Sequence, residues 1–261
     1  MKTTNISSLK ALLALLTLLT PPAFAADAPA PDADQILRQM SAKLAAAQSF
    51  TFEAKREMDP GLVEASVVPQ KAHVSVAVQR PNKIVAHAVS KLGTRHFIAD
   101  GRTLTLVDEK PNHYATVPMR TTIDGLVEKL DTKFGFVPPL ADFAVSNPYA
   151  EIARQAQTVT YMGVAKSKAG FLGLGGVPCH RIALQGKIAD AELWIGVNDQ
   201  LPYKLVATFH LAGQPQLRIA FSNWNLAAPV SAAAFAFTPL QGAQKIEMMT
   251  TAQMEATSRK H

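Results

Sequence analysis

The stretch HVSVAVQRPNKIVAHAVS, residues 73–90, decides the fold class of this chain. In its first half, Val74, Val76 and Val78 alternate with other residues, which is the period-two pattern of a strand with one buried face. Pro81-Asn82 is a turn signal, and KIVAHAVS then resumes as a second strand. Because the connection is so short, the two strands are expected to be antiparallel neighbours in one sheet.

The same alternation extends to both sides of this stretch. Upstream lies FTFEAKREM, and downstream lies RHFIADGRTLTLVDEK, in which Asp100-Gly101 is a strong hairpin signal. Further strands with short connections are predicted at residues 113–117, 158–165, 178–185, 191–197, 203–211 and 216–224. The strand pattern therefore dominates the chain and favours antiparallel pairing throughout.

Two amphipathic helices interrupt the strands. The first is predicted over Gln35–Ala47 with Asp34 as its N-cap, and the second over Thr121–Lys133. Residues 140–155 are expected to add short helical pieces. Two blocks of strands with helices at the start and in the middle predict an α+β fold built on one large antiparallel sheet.

The N-terminus has the pattern of a cleaved export signal over residues 1–25. Lys2 and Lys10 precede a short apolar run, and Ala23-Phe24-Ala25 supplies the small residues of a cleavage site. The apolar run is too short to span a bilayer, which takes roughly 20 residues. We therefore expect a periplasmic product with no transmembrane segment after processing, a flexible linker over 26–33, and a single domain over 34–261.

Composition argues against several classes of protein. The formal net charge is +6, but no extended run of Lys and Arg is present, so no nucleic-acid partner is predicted. Cys179 is the single cysteine, so no internal disulfide can form. Its apolar neighbours predict a buried and unreactive thiol.

No catalytic, metal or cofactor motif stands out, and the sequence predicts a protein that is not an enzyme. Neighbouring residues of a strand point to opposite faces, so Cys179 and His180 cannot easily share a metal ion or form a nucleophile pair. The glycine-rich stretch Gly170–Gly176 lacks the helix start that a phosphate-binding loop needs. It is interpreted either as a loop folded back on its own sheet or as a mobile apolar tip.

Aromatic residues of the predicted strands are the candidate ligand site. A curved sheet lined with them can hold an apolar ligand, although an ordinary packed core explains the same pattern. The candidates for the cavity are Phe50, Phe52, Trp194, Phe209, Phe221 and Trp224.

Several segments in a fixed order carry a family resemblance. They are DADQILRQMSAKLAAAQSFTFEA near the start and GVPCHRIAL, AELWI, LPYKLVATF, FSNWNLAAPV and AAFAFTPLQGAQKIEM in the second half. As a set they resemble a domain-of-unknown-function family of predicted periplasmic proteins. The resemblance covers essentially the whole chain after the signal. That family is similar in fold to the lipoprotein carriers LolA and LolB.

This resemblance implies an open, strongly curved antiparallel half-barrel with an apolar cavity, closed by helices packed as a lid. The two predicted helices are the lid candidates. It implies a periplasmic binding or carrier protein for an apolar small molecule, a lipid or the acyl chains of a lipoprotein. The alternative is a non-catalytic interaction module of the cell envelope, which would have a packed interior and bind another envelope protein. The family defines no catalytic residues, so none is assigned.

The first prediction concerns export. The protein recovered from the periplasm should begin at Ala26, because the Lys2/Lys10 start and the Ala23-Phe24-Ala25 end direct cleavage after Ala25. N-terminal sequencing of the exported protein tests this. Recovery of a chain that still begins at Met1 in the membrane fraction would contradict it.

Overall fold

The computed structural model describes residues 31–63, 70–138, 140–167 and 176–258. The predicted signal, most of the predicted linker and residues 170–175 of the glycine-rich stretch lie outside these ranges. Within the described ranges, twelve strands form one open, curved sheet with helices packed against it. The predicted α+β class and the large antiparallel sheet are confirmed.

The strands run in the order β12-β6-β5-β4-β3-β2-β1-β11-β10-β9-β8-β7 across the sheet. All neighbours are antiparallel except β12, which pairs parallel with β6. Strand β1 pairs with both β2 and β11 and so lies between two meanders. The first meander consists of strands β2 to β6, and the second consists of strands β7 to β11. The strand bounds are β1 Ser49–Met58, β2 Lys71–Gln79, β3 Lys83–Ser90, β4 Gly93–Ala99, β5 Thr103–Asp108, β6 His113–Pro118, β7 Ala156–Ser167, β8 Val177–Gly186, β9 Ala189–Gly196, β10 Pro202–Phe209, β11 Gln216–Asn225 and β12 Gln244–Lys245.

Helices cover one face of this sheet, which we call the inner face. It carries the buried residues Phe50, Phe52 and Val76, and these belong to one core with the apolar sides of helices α1 and α3. No helix among the described residues is long and apolar enough to cross a membrane. The helix bounds are α1 Ala33–Ala46, α2 Pro60–Val63, α3 Ile123–Phe134, α4 Pro148–Gln155 and α5 Thr251–Ser258, with short 3-10 helices at Ala141–Phe143 and Ala232–Phe235.

Helix α1 begins two residues earlier than the sequence predicts. Asp32, not Asp34, is the N-cap, because its side chain accepts a hydrogen bond from the Asp34 backbone nitrogen at 2.9 Å. Asp34 lies in the first turn instead, where its carboxylate pairs with Arg38 one turn later. In the sequence Asp-Ala-Asp, either aspartate satisfies the capping rule, so the pattern alone does not distinguish them.

Helix α3 follows the predicted span closely. Thr122 caps its start, and Gly135 ends it in a left-handed conformation at φ 68° that glycine adopts without a steric penalty. Its apolar stripe of Ile123, Leu126 and Leu130 is buried on the inner face of the sheet. The helix therefore acts as a cover over the first meander.

Two β-bulges help the sheet to curve. Strand β11 gains a residue opposite β1 at Asn223, which has φ 55°, and β7 gains one opposite β8 near Gly163, which has φ 87°. A bulge bends its strand and increases the local twist. The bulge at Asn223 also places Phe221 and Trp224 on the same face, although strict alternation would separate residues three apart.

The guanidinium of Arg80 connects three parts of the core at the end of β2. Its Nε donates to the Ala47 carbonyl at 3.1 Å, and its Nη2 donates to the Val145 carbonyl at 2.9 Å. Ala47 is the C-cap of α1, where unpaired carbonyls favour a cation. Arg80 thus joins helix α1 to the segment that follows the 3-10 helix at Ala141–Phe143.

The C-terminal segment wraps around the β6 edge of the sheet. On the outer face, Phe235 packs against Val85 and Ile98. The chain then pairs with β6 as strand β12, and Met248 joins the core of the inner face. The segment therefore helps to enclose the side of the sheet where α3 lies.

The bulge gives a second prediction. We expect Asn223→Val to lower the free energy of unfolding by roughly 1–2 kcal/mol relative to Asn223→Gly, because a β-branched residue resists positive φ. Both substitutions remove the Asn223 Nδ2 bond to Glu53, which spans 2.8 Å, so the pair isolates the backbone effect. Urea denaturation of the two variants measures the difference, and equal stability would argue against a left-handed Asn223.

Candidate functional site

The described residues enclose two apolar cavities on the inner face, on either side of the packed centre of the sheet. The first, which we call the α3 cavity, has a volume of about 710 Å³ and lies between the first meander and helix α3. The second, the α4 cavity, has a volume of about 740 Å³ and lies between the second meander and helix α4. Both volumes fall within the roughly 300–1,000 Å³ typical of small-molecule sites.

The α3 cavity is lined mainly by apolar side chains. Small residues at Ala86, Ala88 and Ala115 leave space on its floor, and Ile246 and Met248 of the C-terminal segment form a wall. The other floor residues are Val74, Val76, Ile84, Phe97 and Leu106, and the roof is formed by Ile123, Leu126, Val127, Phe136, Val137 and Leu140. The three alanines among larger floor residues leave the space that the apolar residues of the roof enclose.

The segment Leu140–Phe143 separates the two cavities. Leu140 and Ala141 line the α3 cavity, whereas Asp142 and Phe143 line the α4 cavity. Burial raises the pKa of the Asp142 carboxyl, and the charge of Glu151 acts in the same direction. The α4 cavity therefore has a half-buried acid beside its apolar floor.

Aromatic rings fill the centre of the inner face. The rings of Phe52 and Trp224 stack with centroids 4.4 Å apart, and Phe221 packs edge-on against Phe143 at 4.9 Å. Phe50 stacks at 6.4 Å from both Phe52 and Trp224. Phe50, Phe52 and Phe221 are each buried to at least 97%. This aromatic cluster is a packed wall between the two cavities.

The structure distributes the six candidate residues over three environments. Phe50, Phe52, Phe221 and Trp224 form the aromatic cluster, and none of them is among the residues that line either cavity. Phe209 lines the α4 cavity. Trp194 lies elsewhere, so the structure brings four of the six together and separates the other two.

Trp194 lies on the outer face of the sheet. Its neighbours in β9, Leu193 and Ile195, are buried in the inner core, and side chains alternate along a strand. The cations of Arg181 and Lys204, on the two adjacent strands, lie 5.2 and 4.7 Å from its ring centroid. Trp194 is thus held between cations rather than facing either inner cavity.

A buried arginine lies at one end of the α3 cavity. Arg56 follows Phe50, Phe52 and Ala54 at alternate positions of β1, so its side chain lies on the inner face. It is 5% exposed. Burial lowers the pKa of its guanidinium, and the charge of Arg95, a second residue of the lining, acts in the same direction.

Cys179 and His180 do not form a joint site. Cys179 is buried, as predicted, and burial raises the pKa of its thiol. The His180 ring contacts Tyr161, with Nδ1 3.1 Å from the hydroxyl oxygen. Across the described ranges, no three His, Cys, Asp or Glu side chains are placed to hold a metal ion.

A family model matches the sequence over nearly the whole of the described fold. Residues 33–249 match the family described as predicted periplasmic protein, DUF2092. The chain belongs to this family. A search of curated proteins finds no match.

Several solved structures are similar to this chain at low sequence identity, and the first of them shares its fold. An uncharacterized conserved protein from Thermus thermophilus superimposes with a TM-score of 0.50 at 10% identity, over 83% of this chain and 99% of that one. The MucA/MucB complex of Pseudomonas aeruginosa gives 0.46 at 17% identity, over 79% and 62% of the chains. The LolA superfamily protein NE2245 from Nitrosomonas europaea gives 0.37 at 9% identity, over 79% and 99%.

The residues that line the α3 cavity were not predicted from the sequence, although two features of the sequence point to them. Ala86 and Ala88 alternate on the inward side of the second strand of the opening stretch, where small residues leave space. Arg56 occupies the inward position after Phe50, Phe52 and Ala54, where a charge is unexpected. A cation among inward positions is the stronger signal, because charged side chains rarely lie on the buried face of a strand.

The aromatic cluster gives a third prediction. Phe221→Ala should cost roughly 3–5 kcal/mol of unfolding free energy, because it removes a buried ring from a packed cluster. Phe209→Ala should cost less, since Phe209 is partly exposed at the α4 cavity. Chemical denaturation of both variants measures the two costs. Equal costs below about 1 kcal/mol would show that the cluster is loosely packed.

Proposed function

We propose that the protein is a periplasmic binding or carrier protein, without catalytic activity, that holds an apolar ligand in the α3 cavity. The ligand class is a lipid or the acyl chain of a lipoprotein. The observation that carries the proposal is an apolar space of about 710 Å³ next to a core that is already packed by the aromatic cluster. The proposal includes export through a cleaved signal, which agrees with a family of predicted periplasmic proteins.

The energetics favour long chains. Each methylene transferred from water contributes about 0.8 kcal/mol, so ten of them contribute about 8 kcal/mol. Association itself costs an estimated 4–15 kcal/mol in lost freedom. Ten methylenes therefore offset only the lower half of that range, and about nineteen would offset its upper end, so long acyl chains are favoured.

Helix α3 is the element whose movement would admit and release the ligand. Its first residue, Ile123, donates its backbone N–H to the Pro81 carbonyl at 2.9 Å, and Asp124 accepts a hydrogen bond from Ser146. At its other end, the Thr251 hydroxyl donates to the Lys133 carbonyl at 3.3 Å. These polar bonds and the buried apolar stripe of α3 hold the cover in place, and the mechanism we propose is capture, shielding and hand-over as α3 lifts.

A second candidate function is an interaction module of the cell envelope. Strand β7 ends the order of the described sheet, and Met162 and Val164 are exposed on it. A strand at a sheet edge offers unpaired backbone groups to an added strand of a partner protein. This role would leave the α3 cavity without a ligand.

Filling the α3 cavity gives the fourth prediction. Ala86→Phe should weaken binding of a fluorescent fatty-acid probe at least tenfold, because the new ring occupies the cavity floor. Val89→Phe is the matched control: it lies on the same strand, and Val89 is 52% exposed, so binding should be unchanged. Fluorescence titration measures affinity, and thermal unfolding checks that each variant is folded.

Two outcomes would count against the carrier role. If the parent protein shows no saturable probe binding, the carrier role fails and the interaction module becomes the better account. If Ala86→Phe binds as tightly as the parent, the α3 cavity is not the site. Repeating the titration with Ala191→Phe, which fills the floor of the α4 cavity, then tests the second space.

A further inference from the structure

We infer that the α4 cavity is a second binding site, which takes an apolar organic cation whose protonated amine binds the Asp142 carboxylate. The inference goes beyond the carrier role, because that role concerns the α3 cavity and this site lies in the other space on the inner face. The apolar body of the ligand would lie along the floor of the second meander. The ammonium group would lie beside the segment that separates the two cavities.

The first step is the state of the Asp142 side chain. It lines the α4 cavity and is half-buried. In the part of the chain that the structure describes, its carboxylate makes no hydrogen bond and no ion pair. The guanidinium of Arg154, which also lines the cavity, pairs with Glu151 instead. A carboxylate that is partly removed from water and has no protein partner is open to a ligand that donates to it.

The second step is the charge around this carboxylate. Burial and the charge of Glu151 both raise the pKa of the Asp142 carboxyl, and the charge of Arg154 opposes them with a smaller effect. A bound cation would compensate both unfavourable effects at once. Lys187, the other cation of the lining, is exposed in the turn between β8 and β9, where its charge is screened by solvent.

The third step is the floor of the cavity. Ala191 on β9 pairs with Ala207 on β10, so the two methyl groups are neighbours on the inner face. Leu184 on β8 pairs with Ala191, and Leu217 on β11 pairs with Ala207. All four residues line the cavity, and the small pair in the middle of the row accounts for the space above it.

These features favour an organic cation over other classes of ligand. Asp142 supplies the one carboxylate of the described lining, whereas a calcium ion needs six to eight oxygen ligands. A primary amine can bind a single carboxylate, and an apolar body attached to it would be buried against the alanine floor, Phe143 and Ile152. A neutral alcohol with the same body would make the apolar contacts without the charge-assisted hydrogen bond.

The test compares two fluorescent ligands with the same apolar body, naphthylmethylamine and naphthylmethanol. The amine is protonated at neutral pH, as a lysine side chain is, and the alcohol is uncharged. Fluorescence titration of the parent protein should show at least tenfold tighter binding of the amine, since hydrogen bonds between charged groups contribute at this level. Asp142→Asn should remove this preference and leave the affinity for the alcohol unchanged. Asp131→Asn, which alters an exposed acid of α3, is the matched control and should keep the preference.

A further variant tests the location of the site. Ala191→Phe places a ring on the floor of the α4 cavity and should weaken binding of both ligands at least tenfold. Thermal unfolding checks that each variant is folded.

Several results would overturn the inference. Equal affinities for the amine and the alcohol on the parent protein, or no binding of the amine, would do so without any variant. A preference that survives Asp142→Asn, or that is lost equally in Asp131→Asn, would also overturn it, as would amine binding that Ala191→Phe leaves unchanged. The fatty-acid titrations of the α3 cavity are separate measurements, so the carrier role stands or fails independently.

Discussion

The structure depends on covering the wide inner face of an open sheet with pieces from distant parts of the chain. Rings from β1 and β11 fill the centre, helices α1 and α3 cover the sides, and Arg80 joins the end of α1 to the segment after the short 3-10 helix. Because curvature widens the space under the helices, this cover does not fill every part of it. Two apolar cavities remain, one on each side of the aromatic cluster.

Much of this architecture could be predicted from the sequence, because it follows from local periodicity. The alternation of Val74, Val76 and Val78 predicts a strand, and the stripe of Ile123, Leu126 and Leu130 predicts a covering helix, as observed. These patterns have local causes, since a strand has a period of two and a helix one of 3.6. The choice between Asp32 and Asp34 as N-cap is the kind of detail that periodicity leaves open.

The site was harder to predict because it depends on which face each residue occupies. Trp194 and Phe221 both lie within alternating strands, yet one is on the outer face and the other is in the inner cluster. The bulge at Asn223 changes the alternation and brings Trp224 beside Phe221. Cavity walls also come from small residues such as Ala88, which composition and aromatic content do not reveal.

The carrier role proposed here would give a physical meaning to the family of predicted periplasmic proteins to which the chain belongs. The apolar floor of the α3 cavity suits an acyl chain. The packed aromatic cluster matters to this view, because it means that the sheet is stabilised without a ligand. An empty cavity is then compatible with a folded protein, as capture and release require.

Native mass spectrometry of the protein purified from the periplasm, followed by lipid extraction, tests the central claim most directly. The carrier role predicts a population with one additional molecule, which dissociates on collisional activation and is recovered as a lipid or another long-chain apolar molecule. It also predicts that this population is lost in Ala86→Phe and retained in Val89→Phe. A single ligand-free mass in the parent protein, unchanged after incubation with tetradecanoic acid, would contradict it.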